Sequence, residues 1–170
     1  MIKKTVELGF FLALALILGY VESLIPFSFG IPGIKLGLPN LIVVLLLYQG
    51  EGNAKEALLV NMLRIVLSGF LFSNLYTILY ALAGALLSFV AMIAGKRLNC
   101  FSMIGVSVLG GVFHNIGQIV VAMFVVETFY VGYYLPFLIV AGTVTGAVLG
   151  VAAMELRPYL VRYERIRQQW

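Results

Sequence analysis

Long apolar blocks alternate along the chain with short polar breaks. A membrane-crossing helix needs ~20 predominantly apolar residues, and six segments of that kind can be marked. The first covers about Thr5–Ile25 and stops at Pro26. A second, shorter one runs through Tyr48, and the polar turn Gly50–Glu56 (GEGNAKE) leads into a third that ends near Asn74. The fourth is about Leu75–Ala94, closed by Lys96 and Arg97; the fifth is about Ser102–Val126 and the sixth about Leu135–Met154. From Arg157 to Trp170 the chain turns basic and polar. The expected organisation is a six-helix transmembrane domain over residues 1–156 and a basic C-terminal tail over 157–170.

The second segment breaks the pattern. It is short for a bilayer unless residues from Gly33 onward belong to it, and Phe27–Asn40 (FSFGIPGIKLGLPN) is rich in glycine and proline. Non-helical backbone at membrane depth survives where it is buried in protein or lines a cavity. The stretch is therefore a plain connecting loop, an exterior loop folded onto the bundle, or part of a binding site.

Composition agrees with the pattern. Hydrophobic residues make up 62% of the 170 and charged residues 11%, and the mean hydropathy is +1.08. A soluble domain carries roughly 25% charged residues, so a hydrated surface is out of reach and no sizeable soluble domain fits. The apolar run after Lys3 and Lys4 is too long for a signal peptide, contains Glu7 and lacks a small-x-small cleavage site, so it reads as a retained first span.

Lys and Arg fix an expected orientation, because positive charge collects on the cytoplasmic side. Lys3, Lys4, Lys55, Lys96, Arg97, Arg157, Arg162, Arg165 and Arg167 fall on one side; Lys35 is alone on the other and Arg64 lies inside a span. Both termini are expected in the cytoplasm.

Small residues let membrane helices approach closely. The sixth span has Gly142, Gly146 and Gly150 at four-residue spacing; the fourth has Ala81 with Ala85 and Gly84 with Ser88. The first carries two strips, Gly9 with Ala13 and Ala15 with Gly19. At 100° per residue these lie on nearly opposite sides, so one can face the bundle while the other faces a partner or lipid.

Polar groups inside a bilayer are costly and mark functional candidates. Asn61, Arg64 and Ser68 share one face of the third span, and Arg64 lies too deep for easy snorkelling. It needs a carboxylate, a carbonyl cluster or a ligand; a structural ion pair with Glu22 or Glu7 is one answer. The fifth span carries His114, Asn115 and Gln118 within HNIGQ, with Gly110, Gly111 and Gly117 keeping a side of the helix thin. These are either hydrogen-bonded core residues or ligand contacts. Lys35 and Asn40 belong to the Gly/Pro stretch, while Glu127, Phe129, Tyr130, Tyr133 and Tyr134 form an interfacial belt or an aromatic cover. A pocket for an anionic or polar molecule forms if the third and fifth spans adjoin.

Some chemistries are excluded or disfavoured. The seven acidic residues are all glutamate, and one histidine and one cysteine cannot build a His-rich metal site or an intrachain disulfide. Gly95-Lys96-Arg97 lacks the upstream glycine of a phosphate loop, and neither a nucleophile elbow nor HExxH is present. No cofactor is expected, and the chain cannot drive transport with ATP by itself.

Ile31–Asn40 (IPGIKLGLPN), the intramembrane Arg64 and His114–Gln118 together resemble the Gx transporter family, whose members are also labelled heptaprenyl diphosphate synthase component I. The resemblance covers roughly residues 5–155, with Pro39 where the family's KLGLAN has alanine. That family is similar to the substrate-binding S components of energy-coupling factor transporters. These are six-helix proteins with cytoplasmic termini that bind a vitamin or other micronutrient from outside. The resemblance implies a membrane coupling subunit with two ATPases as partners, touched by Gly9, Ala13, Ala15 and Gly19. It also implies an exterior pocket closed by Phe27–Leu38. Prenyl diphosphate synthases hold magnesium diphosphate with Asp-rich motifs, and this chain has no aspartate; catalysis is not expected. A non-catalytic membrane role in prenyl diphosphate or quinone metabolism, a solitary ion-coupled carrier or channel, and a structural subunit of a larger complex are the alternatives.

Overall fold

The computed structural model describes residues 2–24, 37–49 and 53–168. Among these the chain is all-helical: α1 (Ile2–Leu24), α2 (Asn40–Gln49), α3 (Ala54–Phe72), α4 (Leu75–Arg97), α5 (Met103–Val125), a short 3-10 turn (Phe129–Tyr134) and α6 (Leu135–Gln168). Four stretches are long and apolar enough to cross a membrane: Lys4–Leu24, Leu75–Arg97, Met103–Val125 and Phe129–Tyr163. Large apolar side chains such as Phe10, Phe70, Val90, Phe124 and Val140 are exposed around the bundle. Water would not tolerate apolar surface on that scale; lipid does. The protein is a multi-pass membrane protein.

The six marked spans are thus six α-helices of unequal standing. α3 carries Lys55, Glu56 and Arg64 within its 19 residues. α2 has ten residues and measures about 15 Å, half of a ~30 Å hydrocarbon layer. α6 does not stop at Met154 but runs on past Pro158 into the basic stretch. Caps fix two of the boundaries. The Asn74 side chain accepts from the Thr77 amide to open α4, and the Ser102 hydroxyl accepts from the Gly105 amide to open α5. Each satisfies a donor that the first helical turn leaves open.

α2 is apolar on every side, and Ile42 through Leu47 are buried without interruption. A helix of that kind belongs in a core. It packs against α1, α3, α5 and α6 and gathers Phe11, Ala15, Val60, Phe89, Met92 and Val106 around it. Its C-terminal end lies among the basic residues. Lys96 donates to the Leu47 carbonyl, and Lys96 and Arg157 stand 5.1 and 6.0 Å from the centre of the Tyr48 ring. The ion pair of Lys4 with Glu56 ties α1 to α3.

α5 holds the other axis, packing most extensively against α4 and α6. Glycines make this possible. A Cβ on Gly111 would lie 2.4 Å from the Gly142 carbonyl oxygen, and one on Gly146 would lie 2.7 Å from the Val108 Cα. Across the α4 contact, a Cβ on Gly117 would meet the Ala83 carbonyl and the Gly84 Cα at 2.8 Å. The sixth-span glycines are therefore consumed by packing against α5. On α1 the two strips part: Ala15 is buried and Gly19 packs beside Pro39, whereas Gly9 and Ala13 face outward and nothing lies within 4 Å of a Cβ on Gly9.

Gly111→Leu or Gly142→Leu should push α5 and α6 apart and destabilise the bundle by at least the 1–3 kcal/mol typical of overpacking. Gly9→Leu should leave stability unchanged. Thermal unfolding of the three variants in one detergent checks this; equal melting temperatures would contradict the packing described.

Candidate ligand-binding site

Because α2 begins at Asn40, its side chains fill one half of the bundle and, among the described residues, leave an opening in the other half. The opening is a cavity of about 740 Å³, within the range of small-molecule sites. It lies between the C-terminal part of α1, the start of α2, the second halves of α3 and α5, and the first turns of α4 and α6. The ends of α1 and α3 that reach it are opposite the end where Lys4 pairs with Glu56.

Asn40, Asn61, Arg64, His114, Asn115 and Gln118 all line this one space. Lys35 lies outside the described residues. The expectation that the third and fifth spans adjoin is overturned. α3 contacts α1, α2 and α4, whereas α5 contacts α2, α4, α6 and the 3-10 turn. The two helices face each other across the cavity, and their separation creates it.

Arg64 is held at the α3 wall. It donates to the Asn61 side-chain oxygen one turn earlier, at 2.7 Å, and Asn61 itself is buried. The Arg64 Nε is buried and has no hydrogen-bond partner among the described residues. Glu22 acts on the guanidinium electrostatically, while its carboxylate accepts from the Gly37 amide at the approach to α2. That contact holds Gly37 in its positive-φ conformation (+72°), which favours glycine. Charge attraction from Glu22, without a direct ion pair between the two among the described residues, accounts for part of the environment of Arg64 and leaves its Nε unpartnered there.

On the opposite wall the three polar residues of HNIGQ divide. Asn115 donates to the Leu138 carbonyl at 2.7 Å and is buried, so it links α5 to α6. His114 and Gln118 lie against Gly84 of α4: a Cβ there would come within 2.9 Å of the imidazole Nδ1 and of the Gln118 Cγ. Glycine at position 84 thus makes the room these side chains occupy. The rest of the wall is mainly apolar, with Ile65, Phe72, Ile119, Leu138 and Leu149. Tyr130 and Tyr133 stack on each other and are three-quarters exposed, at 76% each, as an interfacial belt requires. Tyr134 instead reaches the cavity.

Thr77 and Tyr80 also line the cavity and were not picked out by the sequence pattern. The available signal was Tyr80 sitting more than a turn inside an apolar helix, away from the aromatic belt. Glu22, weighed above as an ion partner, belongs to the wall as well. No group of three or more His, Cys, Asp or Glu side chains suited to a metal occurs among the described residues.

Fold and cavity define a class: a multi-helix membrane protein with a largely apolar chamber, carrying a few polar side chains, in one half of the bundle. Residues 11–156 match the family described as heptaprenyl diphosphate synthase component I. The chain belongs to that family, as a membrane component and a non-catalytic subunit. Neither a curated protein nor a solved structure matches it.

Asn115→Ala should lower stability by about 0.6 kcal/mol, the average worth of an interhelical hydrogen bond in a membrane bundle. Gln118→Ala should leave it unchanged. Denaturant or thermal unfolding of the two variants distinguishes a helix tie from a cavity-facing amide, and the reverse order would contradict the assignment.

Proposed function

We propose that the chain is the substrate-binding membrane subunit of an energy-coupling-factor-type micronutrient importer, taking up a small polar or anionic molecule from the exterior. The observation that carries this reading is the convergence of Arg64, Asn61, His114, Gln118 and Asn40 on one cavity of ligand size. Two further features support it. The basic residues Lys4, Lys96 and Arg157 make their contacts at the other end of the bundle, as the positive-inside rule expects of a cytoplasmic face. The outward strip of Gly9 and Ala13 on α1 suits a close helix contact with a membrane coupling subunit that itself works with ATPases.

In this reading Arg64 binds the acidic or polar head of the ligand, while His114 and Gln118 hydrogen-bond from the facing wall. Asn115 and Asn61 contribute chiefly by fixing the wall. Purification followed by mass spectrometry should recover a bound small molecule. Arg64→Ala should weaken its binding by ~2 kcal/mol, the middle of the range for a hydrogen bond to a charged group, without unfolding the bundle. Consistent recovery of empty protein, with no binding across a vitamin panel, would count against it.

The family description favours a second reading: a non-catalytic membrane partner of a prenyl diphosphate synthase, whose soluble catalytic component would be the binding partner. Co-purification separates the two readings. Gly9→Leu with Ala13→Leu should abolish recovery of the coupling subunit and ATPases if the importer reading holds. Recovery of a soluble synthase whose activity requires this chain would favour the second.

A further inference from the structure

The cavity has a chemistry more specific than "small molecule". Among the described residues its walls hold one permanent cation, Arg64, and one carboxylate, Glu22. Glu22 is half-buried and its carboxylate also accepts from the Gly37 amide, so it is shared between that contact and Arg64. Arg64 retains a buried Nε with no partner and one hydrogen bond, to the neutral Asn61. A guanidinium left in that condition is short of acceptors, and a planar acid group supplies two at once.

The same inventory limits the charge. A multiply charged head such as a diphosphate needs several cations or a divalent metal. The chain has no aspartate, and no metal-capable cluster occurs among the described residues. The described walls offer a diphosphate one permanent cation for its several charges, and charge left uncompensated is expensive away from bulk water. The lining also carries Ile65 and Phe72 of α3, Ile119 of α5, and Leu138 and Leu149 of α6, which suit an apolar body better than a bare anion. The volume of about 740 Å³ leaves room for such a body beyond the head group.

Resting on the importer reading, we infer that the ligand is an amphipathic monoanion, with a single acid group on Arg64 and a hydrocarbon or aromatic body against the α5–α6 wall.

The full chain in lipid nanodiscs tests this in two arms. In the first, native mass spectrometry identifies any compound captured during purification. One acid group, with loss of the compound from Arg64→Ala and better retention in Arg64→Lys, supports the inference. A captured diphosphate or an uncharged compound overturns it and leaves the importer reading standing. If nothing is captured, the second arm decides by calorimetry with three probes of one carbon skeleton: geranate, geraniol and geranyl diphosphate. At least tenfold tighter binding of geranate than of either other probe supports the inference. Equal or tighter binding of geraniol or the diphosphate overturns it. No capture and no binding of any probe defeats the importer reading together with the inference.

Discussion

The architecture turns on one short helix that is apolar all round. α2 carries six consecutive buried residues from Ile42 to Leu47, so burying them drives the other helices to close around it. Each side chain of that size contributes about 1.5–3 kcal/mol when removed from water, and within lipid the same groups supply close packing instead. Since α2 spans half the bilayer, the packing it organises ends where it begins. The space beyond Asn40 is what remains when five longer helices surround a short one.

That remainder becomes a site because the surrounding walls are held independently of it. α5 is locked between α4 and α6 by backbone contacts through Gly84, Gly111, Gly117, Gly142 and Gly146, and the Asn115 bond to Leu138 adds a specific tie. α3 is anchored by its packing on α1 and α2. The two polar walls therefore face each other at a distance set by glycines and by α2, not by mutual attraction. Arg64 faces the cavity with its Nε unpartnered among the described residues, on a wall that α5 does not touch.

Much of this was legible in the chain, and the reasons differ by element. The apolar blocks announced the helices, since the bilayer imposes a length that no soluble core demands. The in-membrane placement of Arg64, His114 and Gln118 stood out because polar groups are rare there, and all three line the cavity. The relation between α3 and α5 was not legible: helix order in a bundle depends on which faces mate, and the glycines that decide it occur on several helices. The second helix was legible as a short one ending near Tyr48, while Gly37 and Pro39 left its start open until the structure placed it at Asn40. Thr77 and Tyr80 escaped notice because hydroxyl-bearing residues near a helix end have many ordinary uses. Asn115 looked like its neighbours His114 and Gln118 in sequence, yet a 100° step turned it toward α6.

The proposed importer role requires the cavity beyond α2 to be a chamber reached from outside. Thiol accessibility in intact cells tests it most directly, in a Cys100→Ser background. Ser68→Cys, on the chamber wall, should react with a membrane-impermeant maleimide added outside, and Leu46→Cys, in the α2 core, should not. Failure of Ser68→Cys to react, or equal labelling of both positions, would contradict the account.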